Sequence, residues 1–137
     1  MQILRHIPIF ISGIISGIMV YQSMVIAPSI NKLLSSQSAS LYLRHIWPNF
    51  FLLIAFLSVV SGIIILAYCR NQKMGKIISF VSFTLMTLCY LLIPLMNEAK
   101  DSNEQNTFIF LHLSSMIITL ITLLMNISLI AFWRFKT

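Results

Sequence analysis

Apolar positions along the chain fall into four long, nearly unbroken runs, with none of the strict alternation that marks half-buried strands. They cover residues 7–27, 50–69, 77–96 and 108–133, and none contains a charged side chain. A helix rising about 1.5 Å per residue needs about 20 apolar residues to cross a hydrocarbon core about 30 Å thick. Each run meets that length, and the fourth exceeds it, so it is expected to tilt or overhang. Pro28 is expected to close the first run. Pro48 stands at the entrance of the second, where a missing N–H costs least. The expectation is an all-α, polytopic membrane protein: one four-transmembrane-helix bundle over residues 1–137, with spans at about 7–27, 48–69, 77–96 and 108–133. Arg5 followed by an apolar stretch superficially fits a signal peptide. The stretch is too long for a signal core, so it reads as a retained helix.

The connecting segments are less uniform. Residues 29–46 carry Ile30, Leu33, Leu34, Leu41 and Leu43 among five serine and glutamine positions from Ser35 to Ser40. They fit either a short interfacial helix or a tight turn followed by an early, Pro48-kinked start of the second helix. Residues 97–107 read as a polar loop.

Composition narrows the class. Of 137 residues, 58% are apolar and 9% charged, against about a quarter charged in a soluble domain. That excludes most soluble readings and intrinsic disorder, and two cysteines exclude a disulfide scaffold. Positive residues then set orientation. An even number of spans puts Arg5, Arg70, Lys73, Lys76, Arg134 and Lys136 on one side, and Lys32, Arg44 and Lys100 on the other, together with Glu98, Asp101 and Glu104. Both termini are therefore expected in the cytoplasm, with the chain in a bacterial inner membrane. The net charge of +6 reads as a topology signal, with no nucleic-acid partner implied.

Small and polar residues mark the helix faces that meet protein. His112, Ser115, Thr119, Thr122 and Asn126 share an arc of about 80° at 100° per residue. This stripe is expected to face the bundle and bond neighbouring helices. Ser79, Ser82, Met86 and Cys89 form a softer stripe in the third helix. In the first, Gly13 and Gly17 form a GxxxG pair that permits close approach, within the chain or between protomers. Gln22 lies about 180° away, so two faces of this helix are expected to meet protein.

Chemistry is sparse. His6 and His112 lie near opposite membrane faces and cannot share a metal, whereas His45 and His112 share the outer side, with Met24 and Met96 nearby. Those four are the candidate metal or haem ligands. Against them stands the plainer reading of an interfacial His45 and a His112 hydrogen-bonded inside the bundle. Cys69 and Cys89 are expected to lie too far apart for a disulfide. No span carries a catalytic carboxylate, and no nucleotide, hydrolase or zinc-protease motif occurs. No enzyme activity, cofactor or metal is therefore expected.

Several stretches together resemble the transmembrane-protein-205-like family. They are residues 12–28 ending in Ala27-Pro28, the segment 46–51 around Pro48, residues 91–96 around Pro94, and Phe108-x-x-Leu111-His112-x-x-Ser115. The resemblance covers nearly the whole chain and implies a four-helix membrane protein without an agreed biochemical function. That family is distantly similar to CopD-type copper-resistance and HemJ-type haem-synthesis proteins, which implies copper or haem handling as an alternative. Ala27, Pro28, Pro48, Pro94, His112 and Ser115 carry the pattern. Ile30 and Leu33 stand where an aromatic usually follows Ala-Pro, and Thr119 stands where an Asn is common.

The function expected from the residues is an accessory or assembly subunit without catalysis, packing against other membrane helices or a second copy in the lipid bilayer. The interface residues are Gly13, Gly17, Ser115, Thr119, Thr122 and Asn126. The alternative is copper or haem handling through His112 and His45.

Overall fold

The computed structural model describes residues 3–133. After a short 3-10 turn (Ile3–Arg5), the chain forms α1 (Ile7–Tyr21), a π-helical segment (Gln22–Ile26), α2 (Ala27–Leu33), α3 (Ser36–Tyr68), α4 (Lys73–Asp101) and α5 (Gln105–Phe132). No strand occurs among the described residues. Four helical stretches are long and apolar enough to cross a membrane: Ile3–Leu33, Ser36–Tyr68, Lys73–Asp101 and Gln105–Phe132.

All four outrun the apolar runs, for local reasons. Pro28 does not close the first helix, because the π segment widens one turn just ahead of it. The Ala27 N–H reaches back five residues to the Gln22 carbonyl, so the wider turn absorbs the proline, which sits in the first turn of α2 where it costs least. The helix ends at Leu34, whose extended backbone (φ −106°, ψ 150°) begins a tight reversal.

Ser35 then caps α3, its hydroxyl accepting from the Ser38 N–H at 3.3 Å. A capped start at Ser36 leaves Pro48 inside a 33-residue helix and not at its entrance. Of the two readings of residues 29–46, the turn and early helix is the one observed. Pro48 supplies no N–H to the Arg44 carbonyl four residues back. One residue on, Asn49 donates its side-chain amide to the His45 carbonyl at 3.0 Å.

The expected polar loop at 97–107 is also mostly helix. Glu98, Ala99 and Lys100 are good helix formers, and Ala99 is buried. Asn103, at φ 58°, ends α4 in a left-handed cap. The Glu104 N–H bonds the Ala99 carbonyl at 2.9 Å and the Asn103 N–H bonds the Lys100 carbonyl at 3.3 Å, the two bonds of a Schellman motif.

The bundle closes as a ring: α3 packs on α4, α4 on α5, α5 on α1 and α1 on α3. Apart from Ile78 and Ala99, the buried positions on α4 (Gly75, Ser79, Ser82, Met86, Cys89, Ile93) alternate by four and three residues. Those of α5 (Ser115, Thr122, Asn126, Leu129, with Thr119 half-buried between) do the same. That is the 3.5-residue repeat of a left-handed seam, built here from small and hydroxyl side chains that let the helices approach closely. Across it, Asn126 donates to the Ser82 hydroxyl at 3.1 Å; between α4 and α3, Ser79 donates to the Ser61 hydroxyl at 3.3 Å.

Ile11, Ile15 and Met19 of α1 meet Phe50, Phe51, Ile54 and Met86 in the main core. A second core holds Ile65, Cys69, Ile78, Leu129 and Trp133 near the chain ends. There the Cys69 thiol lies 3.8 Å from the Arg5 carbonyl, so the start of α1 and the end of α3 share one face. Both cysteines are buried and free. Arg134 and Lys136, counted above for orientation, lie outside the described residues.

Candidate functional site

At the face away from the chain ends, the four-helix ring does not close. α5 packs against α1, yet makes no more than marginal contact with the π segment or α2. The widened turn marks where the first helix parts from α5, the usual consequence of an inserted π turn. A cavity of about 560 Å³ fills the gap, within the range of about 300–1,000 Å³ typical of ligand pockets.

Prolines flank it on three sides. Ala27 lines it beside Pro28, Trp47 beside Pro48, and Ile93 beside Pro94. Each proline removes a backbone donor and crowds the turn before it, so the helices are least regular where the cavity lies.

The cavity has two ends of different chemistry. Its floor is Met19, Phe51 and Ile93, all buried, with Leu123. Leu113, Met116, Ile117 and Leu120 of α5 form a wall whose side chains are also exposed on the helix surface. Ser115 and Thr119 line this part, but their hydroxyls already donate to the carbonyls of His112 and Ser115, each at 2.8 Å. The lining from Phe108 to Leu123 spans about 22 Å of α5 at 1.5 Å per residue.

At the mouth stand Arg44, Lys100, Asn97, His112, Ser23 and Ser40. Arg44 on α3 donates through both terminal guanidinium nitrogens to Asp101 at the end of α4, the Nη1 bond measuring 3.0 Å. The Lys100 ammonium sits 5.6 Å from the Phe108 ring centroid. The His112 ring stacks on the same phenyl at 5.7 Å.

The residues singled out in the sequence divide accordingly. Ser115, Thr122 and Asn126 are buried in the seam, with Thr119 half-buried beside them. His112 departs from that stripe: it is exposed and lines the cavity mouth. Met96 lines the same cavity. His45 and Met24 are exposed and do not line it. The structure thus brings His112 to one cavity with Met96 and not with His45. No cluster of three or more His, Cys, Asp or Glu able to hold a metal ion occurs among the described residues.

Gly13 and Gly17 point outward, and a Cβ at either would meet nothing within 4 Å. The inward face of α1 is built by Ile11, Ser12, Ile15, Ser16 and Met19, and Gln22 of the π segment is buried as well.

Arg44, Lys100, Asp101 and Trp47 were not singled out from the sequence as site residues. Arg44 and Asp101 are 57 positions apart. The available signal was that both flank apolar runs at the same end of the expected bundle.

Residues 10–133 match a protein family described as Domain of unknown function (DUF4149). No curated protein and no solved structure matches the chain.

Proposed function

The chain belongs to the DUF4149 family, and we propose that it is a non-catalytic binding protein of the bilayer whose cavity receives the apolar part of a membrane amphiphile. The observation that carries this reading is the cavity itself: about 560 Å³, lined mainly by apolar side chains, with its charged groups at one end and an α5 wall whose side chains are also exposed. A soluble ligand would have no use for a wall made of Leu113, Met116, Ile117 and Leu120.

Trp47 lines the cavity, whereas Trp133 is buried near the chain ends. A single-chain alcohol brominated near its tail therefore quenches Trp47 saturably in detergent-solubilised protein, and Trp47→Phe removes the saturable quenching. Quenching that rises linearly without saturation would contradict the reading.

A second reading has its own support. Gly13 and Gly17 form a small-residue strip on the outer surface, where no described residue comes within 4 Å of an added Cβ. This favours an accessory or assembly role, with α1 docking against another membrane helix or a second copy. We place the chain in a bacterial inner membrane with both termini cytoplasmic, on the distribution of its Lys and Arg residues. The kinship with transmembrane-protein-205-like, CopD-type and HemJ-type proteins is a proposal of the same kind. Copper or haem would then fall to His112, with Met96 as the other candidate ligand at the cavity.

A further inference from the structure

We infer that the occupant of the cavity is an anionic amphiphile, a single apolar chain ending in a phosphate monoester, with the phosphate at the mouth between Arg44 and Lys100. The inference rests on the binding reading above and adds the head group to it.

Charge complementarity carries the argument. Arg44 and Lys100 both line the cavity, and no Asp or Glu does. Asp101 pairs with Arg44 from outside the lining and is itself largely exposed. Arg44, Asp101 and Lys100 together leave one net positive charge at the mouth.

The hydrogen-bonding groups that line the cavity differ between its two ends. Deep in the cavity, the Ser115 and Thr119 hydroxyls are already bonded to backbone. At the mouth, the side chains of Ser23, Ser40 and Asn97 make no hydrogen bond among the described residues, and all three line the cavity. Two cations, three neutral polar side chains and the His112 ring at one end form a set of six. That set suits the several oxygens of a phosphate better than the two of a carboxylate, and a hydroxyl would leave most of it unpaired. The planar guanidinium of Arg44, held by Asp101, presents its remaining N–H groups in fixed geometry. Asp101 is then a positioning residue.

The test is displacement of the brominated alcohol from Trp47 by three ligands of equal chain length: dodecyl phosphate, dodecanoate and dodecanol. Dodecyl phosphate should displace at about one-tenth the concentration of dodecanol or less, with dodecanoate between them, as charge-assisted bonds demand. Inorganic phosphate at the same concentration should displace nothing. Arg44→Gln and Lys100→Gln should each shrink the preference for phosphate over alcohol. Asp101→Asn breaks the ion pair but keeps the cation, so it should preserve or increase that preference. A merely structural role for the pair predicts that Asp101→Asn and Arg44→Gln lose it together, which would overturn the inference. Equal potency of dodecanol and dodecyl phosphate, or displacement by inorganic phosphate, would also overturn it while leaving the apolar cavity reading intact. If none of the three ligands displaced the probe, the cavity reading itself would fail.

Discussion

Arg44 and Asp101 face each other at the outer end of the bundle, joined by two guanidinium-to-carboxylate hydrogen bonds across 57 residues of sequence. The contact depends on two local devices. The Ser35 cap starts α3 early enough for Arg44 to lie on a helix, and the Asn103 turn ends α4 just after Asp101. The pair ties α3 to α4 beside the cavity mouth, where Pro48 and Pro94 weaken both helices.

The pair sets a pH dependence. Hydrogen bonding to Arg44 holds the Asp101 carboxyl below its ordinary value. A carboxylate depressed in the folded state contributes stability above its unfolded value, near 3.9. That contribution is lost as pH falls through the folded value. The tie is thus intact at neutral and mildly acid pH and breaks only in strong acid. In a carboxyl-carbon NMR titration, the Asp101 midpoint should rise toward the ordinary range in Arg44→Gln. An unchanged midpoint would show that Arg44 is not its partner. Because the pair is exposed, Asp101→Asn should leave thermal stability nearly unaltered.

The α4–α5 seam makes a larger demand. Asn126 is buried, bonds Ser82 across the seam and bonds the Thr122 carbonyl at 2.9 Å. Interhelical bonds of this kind contribute about 0.6 kcal/mol on average and about 1.7 at most. In a double-mutant cycle with Asn126→Ala and Ser82→Ala, unfolding in mixed micelles should give a coupling within that range. Strict additivity of the two losses would mean the bond contributes nothing.

The glycines separate into inward and outward kinds. A Cβ at Gly75 would come within 2.9 Å of the Ile65 Cδ1 and 3.2 Å of the Trp133 Cζ3. Gly75→Leu therefore overpacks the second core, at a cost of about 1–3 kcal/mol. A Cβ at Gly13 or Gly17 meets nothing within 4 Å, so Gly13→Leu and Gly17→Leu should leave unfolding of the isolated chain unchanged. Replacing the outward pair by isoleucine should instead release any helix bound to α1, as read by co-purification in mild detergent. Retention of the same partner by both Gly13→Ile and Gly17→Ile would remove the support for an α1 interface.

Much of the architecture was legible in the runs of apolar residues, because in a bilayer every backbone group must be satisfied within its own helix. The seam on α4 and α5 was legible for a related reason: hydroxyls and amides gain nothing from lipid, so the stripes through Ser82 and Asn126 had to face protein. Helix ends were less legible. Pro28 and Pro48 look like boundaries in sequence, but an upstream π turn and an upstream serine cap carry helix past both. The π turn has no sequence signature of its own, and the cavity depends on it. His112 left its expected stripe for the same reason: where the first helix parts from α5, the arc that is interior farther down becomes the wall of an opening. The mouth was hidden because Arg44, Asn97 and Lys100 come from two helices and meet only once both helices extend beyond their apolar runs.

The central claim is that the cavity holds one amphiphile. Native mass spectrometry of the protein released from membranes without exchange of lipid tests it most directly. The account predicts one bound amphiphile per chain, retained after loosely held lipid is stripped, and lost in Ala27→Phe and Ser40→Phe, which fill the cavity from α2 and α3. Lipid recovered only in bulk membrane proportions, and unaffected by either substitution, would contradict it.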